Sequence, residues 1–183
     1  MVKIVVTRNP DRSPVNVELS LERVRANFPE NALAMHRRAG IILKDAGVHP
    51  VLMLQPLLIL QRDREEMVGI ERELFDFNVD SYRPNVEEFY RLAVPYLRDT
   101  ESQMAREIGA SYLDLTPVFD SVAGQAFTDY AHLTPLGNEV VAEAILEHLL
   151  AIACKDLEVS DDRDLINLRR ITEASCAAGA PAG

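Results

Sequence analysis

Gly47-Val-His-Pro-Val-Leu-Met-Leu-Gln-Pro56 decides the fold class. Val51 to Leu54 is apolar without alternation, the pattern of a strand covered on both faces. Gln55-Pro56 ends it, and Gly47 stands where a glycine closes a helix. Upstream, Asn31 to Ala46 has helical spacing, with Leu33, Ala34, Ile41, Ile42 and Ala46 as its apolar stripe. A helix, a glycine and a continuous apolar strand make the αβ half of a parallel crossover. Further back, Lys3-Ile-Val-Val-Thr7 reads as a short β-branched strand running into the turn cluster Arg8-Asn-Pro-Asp11. Lys3 to Leu54 is therefore expected to form one right-handed β-α-β unit.

The remaining segments extend this alternation. Leu21 to Phe28 predicts a short amphipathic turn or helix stopped by Pro29. Gln61 to Phe77 is charged, with Met67, Ile70, Leu74 and Phe77 at helical spacing, and reads as a partly exposed helix in a long insertion. Val86 to Ile108 is helical; Pro95 is expected to kink or divide it and Gly109 to end it. Ser111 to Leu115 is the next strand, and a helix from Pro135 to about Ala153 closes the series. The order β-α-β-α-α-β-α predicts an α/β fold, a three-layer α/β/α sandwich with a mostly parallel sheet. Ligands of such sheets bind at the carboxyl ends of the strands. Residues 1–154 are expected to form this domain and 155–183 a partly disordered extension.

Composition narrows the partners. A net charge of -10 over 183 residues argues against nucleic acid or an anionic membrane, which demand a basic face. Cys154 and Cys176 lack metal-type spacing and call for no disulfide. Val2 to Val6 is too short an apolar run for a signal-peptide core or a membrane span, so a cytoplasmic location is expected.

Chemistry concentrates in Phe127-Thr-Asp-Tyr-Ala-His-Leu-Thr-Pro-Leu-Gly-Asn138. Asp129 and His132 sit three apart, just before a strong helix start with Thr134 as N-cap and Pro135 at the first helical position. Loops that feed a buried helix are where reactive groups tend to be mounted. The bland alternative is a turn-capping Asp129 beside a structural histidine. A metal site would need Asp114 or Asp120 to join the pair, and no second histidine lies nearby in the sequence. His36, beside Arg37 and Arg38, reads as part of a solvated basic face, and His148 as a cation near a helix C-terminus. No cofactor is expected.

Val51 to Pro56, Ala110 to Pro117 and above all Phe127 to Asn138 resemble the later blocks of the SGNH (GDSL-type) hydrolase family. The resemblance covers roughly Asn31 to Leu150. It implies a serine ester hydrolase acting on acylated small molecules or glycans, with His132 as general base and Asp129 orienting it. It also implies a Gly-Asp-Ser nucleophile block and an oxyanion asparagine from a Gly-x-Asn-Asp block. No Gly-Asp-Ser occurs here, and Asn9 stands where the oxyanion asparagine would, without its glycine. The chain is therefore expected to begin near the family's third strand. An uncovered sheet edge would follow, inviting a homo-oligomer or a complementary segment. The alternatives are a non-catalytic, partner-binding remnant and an acetyltransferase acting on glycans.

Overall fold

Parallel pairing of two apolar tetrapeptides organises the structure. β1 (Val51–Leu54) and β2 (Ser111–Asp114) lie in register, Val51 opposite Ser111 and Leu54 opposite Asp114. The computed structural model describes residues 13–61, 64–77 and 84–156. The helices are, in chain order, α1 (Val17–Asp45), α2 (Leu58–Gln61), α3 (Glu71–Asp76), α4 (Val86–Ile108) and α5 (Pro135–Asp156). The expected strand Lys3 to Thr7, Asn9 and the segment beyond 156 lie outside the described residues. The fold is thus α/β, with a two-stranded parallel sheet among the described residues. By packing, the chain divides into two units, residues 1–137 and 138–183. The sheet, α1 to α4 and the Asp129/His132 loop belong to the first. No helix among the described residues is long and apolar enough to cross a membrane.

Residues 17 to 45 form one helix, where a short turn or helix ended by Pro29 and a separate helix from Asn31 were expected, and Pro29 lies inside it. Proline removes one helical N–H and leaves the carbonyl four residues back without its donor. That carbonyl belongs to Arg25, and the Tyr96 hydroxyl of α4 donates to it at 3.4 Å. The Arg25 guanidinium also lies 6.0 Å from the Tyr96 ring centre. Contact with α4 thus compensates the break that Pro29 encodes. α4 likewise runs unbroken through Pro95 and ends on Gly109 in the left-handed region, φ 72°.

The expected apolar stripe of α1 is not what it buries. Ile41 and Ile42 are exposed, whereas Gly40 is buried against Ile108 of α4. A Cβ on Gly40 would stand 3.0 Å from that of Ile108, so close approach of the helices fixes the rotation of α1. At about 100° per residue, positions 41 and 42 are then carried away from α4. Asn16 caps α1, its side-chain oxygen accepting the Leu19 N–H at 3.0 Å. Asn16→Ala is expected to cost about 1 kcal/mol in a denaturant titration.

Gln61 to Phe77 also departs from expectation. It holds the end of α2, a 3₁₀ turn at Arg64–Glu66, and the short α3. Met67 and Phe75 are core residues, together with Leu58, Val94, Met104, Leu115, Phe119 and Phe127. The Phe119 and Phe127 rings meet edge to face, centroids 5.2 Å apart. Phe127, which leads into the Asp129/His132 loop, thereby anchors that loop in the core.

Candidate active site

The loop is a tight two-legged turn. Phe127 and Leu133 form an antiparallel bridge, and the Thr128 N–H donates to the His132 carbonyl at 2.8 Å. One residue outward on each leg, the Thr134 N–H donates to the Ala126 carbonyl, also at 2.8 Å. Thr134 is the N-cap expected of it: its hydroxyl oxygen accepts the Gly137 N–H at 3.1 Å. The same hydroxyl donates to the Gln125 carbonyl at 2.8 Å, locking the helix start to the incoming leg.

Between the legs, the two carboxylate oxygens of Asp129 divide their tasks. Oδ1 accepts the N–H groups of Ala131, at 2.9 Å, and His132, at 2.8 Å. Oδ2 faces His132 Nδ1 at 2.6 Å. A carboxylate only accepts, so the imidazole proton sits on Nδ1 and the Nε2 lone pair is left for chemistry. The His132 side chain is 79% exposed. No described residue hydrogen-bonds its Nε2. Asp129 thus caps the turn and also holds the imidazole.

Burial opposes ionisation of Asp129, but the N–H groups of Ala131 and His132 and the imidazole outweigh it, holding the carboxyl below its usual range. A depressed folded-state value adds stability that is complete above about pH 4 and disappears as pH falls through that value. Amide protection at Ala131 and His132 is therefore expected to be flat at neutral pH and to collapse in acid. Asp129→Asn should remove that acid dependence from both amides in hydrogen exchange.

Loop and sheet meet where the strand order predicts. The Leu58 N–H, just beyond β1, donates to the Tyr130 carbonyl at 3.0 Å. The loop therefore lies against the carboxyl-end side of β1. Off the end of β2, Asp114 is ion-paired with Arg98 and accepts from the Thr116 N–H and hydroxyl at 2.9 and 2.7 Å. Asp114 is thereby committed to structure. No group of three or more His, Cys, Asp or Glu side chains among the described residues is gathered to hold a metal ion. A cavity of about 270 Å³ opens beside this strand end, its walls including Leu60, Val94, Arg98, Thr116, Pro117 and Asp120. Leu60 belongs to the same helical turn as Leu58, and no residue of the Asp129/His132 loop lines the cavity.

Ser111 does meet an imidazole, with its hydroxyl 2.8 Å from His49 Nε2. Yet Ser111 opens β2, at the strand end opposite the loop, so it cannot serve His132. Tyr112 is no base at neutral pH either, since burial, then Asp114 and Glu101, push its hydroxyl up to about 12. One residue that the sequence reading passed over belongs to the site's frame. Glu71 is buried and its carboxylate accepts the N–H groups of Ala126 and Phe127. Its only trace in the sequence is an acid at the start of a helix, where acids are common.

Comparison with family models, with curated proteins and with solved structures finds no match.

Proposed function

We propose that this chain carries the base half of an SGNH-type ester hydrolase. His132 removes a proton from an attacking hydroxyl, and Asp129 fixes the imidazole and stabilises its charged form. The observation that carries the reading is the Nδ1–Oδ2 contact of 2.6 Å on a loop whose backbone bonds to the same carboxylate. Such a couple is what a weak hydroxyl nucleophile needs. In the reaction, the hydroxyl oxygen bonds to the ester carbonyl carbon as its proton passes to Nε2. The tetrahedral adduct then expels the alcohol, which leaves with that proton. Where the hydroxyl is water's, the acid is the product. Where it is a serine's, a water gives its proton to Nε2, attacks the acyl carbon and releases the acid as that proton returns to the serine oxygen. Glycan acetyl transfer would use the same base, with an acceptor sugar hydroxyl in place of water.

The test is turnover of p-nitrophenyl acetate by the full chain and by His132→Ala, with a fluorophosphonate probe in parallel. Turnover lost in the variant, with labelling of the wild type, points to a serine of this chain. Turnover lost without labelling points to direct attack by water. Equal rates in both proteins would sink the reading.

A partner-binding role is the second reading. It is favoured by large apolar side chains left open on α1 and β1: Met35, Ile41, Ile42 and Met53. Concentration-dependent sedimentation without any ester turnover would select it.

A further inference from the structure

We infer that Glu71 is the positioning residue of the Asp129–His132 couple, an inference that rests on the reading of that couple as a base. Glu71 is 1% exposed and ranks with Phe119 and Phe127 among the largest fully enclosed side chains. A carboxylate in such a place is costly unless its oxygens are bonded. Here Oε1 accepts the Ala126 N–H at 2.6 Å and the Phe127 N–H at 3.0 Å, and Oε2 accepts the Val68 N–H at 3.4 Å.

Packing alone would be better met by an apolar residue, as it is by Phe75 one turn further along α3. What the carboxylate adds is a grip on backbone 55 residues away. Ala126 and Phe127 are the incoming leg of the loop. Their carbonyl and bridge partners, Thr134 and Leu133, are the outgoing leg. Asp129 and His132 occupy the turn between the legs, so the position of the first leg sets the separation of the couple. Glu71 touches neither of the two. It acts through the backbone, and its removal frees the N–H groups of Ala126, Phe127 and Val68.

The effect is read on the ring of His132. The nitrogen chemical shifts of a neutral imidazole report which nitrogen carries the proton, and the wild type is expected to hold it on Nδ1. Glu71→Ala is expected to return His132 to the Nε2–H form that free histidine prefers. It should also lower kcat for p-nitrophenyl acetate about a hundredfold at nearly constant KM. Glu71→Gln keeps an acceptor oxygen for Ala126 and Phe127, so it should retain the Nδ1–H form and most of kcat. A folded Glu71→Ala protein with the wild-type tautomer overturns the inference. If Glu71→Ala does not fold, amide exchange in the wild type decides, and fast exchange at Ala126 and Phe127 overturns it equally. The ring shifts need no substrate. A wild type that hydrolyses no ester therefore removes the hydrolase reading alone.

Discussion

His132→Ala is expected to lower ester turnover by about 10²–10⁴-fold, the range that a positioned general base contributes. The same change should leave stability within about 0.5 kcal/mol, because the side chain is 79% exposed and packs against no core. That separation gives the experiment its force, since a rate loss in a protein that melts normally can be assigned to chemistry. Asp129→Asn should fall in the same rate range by a different route. Its amide oxygen can still accept the Ala131 and His132 N–H groups now held by Oδ1. Its amide nitrogen, however, would face Nδ1, which must then give up its proton to accept. The ring would carry its proton on Nε2 and lose the lone pair needed for the hydroxyl. The two variants therefore predict one kinetic result from two structural causes, and only Asp129→Asn changes the tautomer by nitrogen shifts. A His132→Ala protein with undiminished turnover would assign the hydrolysis to another site.

How much of this was legible in the sequence depends on the range of the interactions. The strand Val51 to Leu54 and the helix Val86 to Ile108 occupy the residues expected of them, and Gly109 ends that helix. Their signals are local: unbroken apolar runs, helical spacing and terminal glycines. Asp129 and His132 were likewise readable, because an Asp-x-x-His turn places its partners within one loop. What failed was decided by distant contacts. Nothing near Pro29 announces that Tyr96 will supply a donor to Arg25. Nothing near Ile41 and Ile42 announces that Gly40 will turn them outward by docking on Ile108. Glu71 is the sharpest case. Its neighbours suggest a solvated helix face, and only a loop 55 residues away makes its carboxylate a buried acceptor.

Gly137→Ala is expected to destabilise the protein by about 2–3 kcal/mol, against the usual sign for such a change. Within an exposed helix alanine is favoured over glycine by about 1 kcal/mol. At Gly137, in the first turn of α5, a Cβ would stand 2.3 Å from the Ala126 carbonyl oxygen. It would also lie 3.2 Å from both the Ala126 carbonyl carbon and the Leu133 Cβ. Overpacking against mobile side chains costs about 1–3 kcal/mol, and here the obstacle is backbone that cannot rotate aside. Nor can Ala126 retreat freely, since its carbonyl accepts from Thr134 and its N–H is held by Glu71. The collision therefore passes into the legs that carry Asp129 and His132. Turnover should drop along with the denaturation midpoint, unlike in His132→Ala, where the two separate. Gly47→Ala supplies the comparison: it has open space around it and a φ of +68°, so it carries a conformational cost of about 1–2 kcal/mol with no collision. If Gly137→Ala matched the wild type in midpoint and rate, the loop's incoming leg would not be held against Gly137 at Ala126. The rigidity that makes His132 a usable base would then need another source.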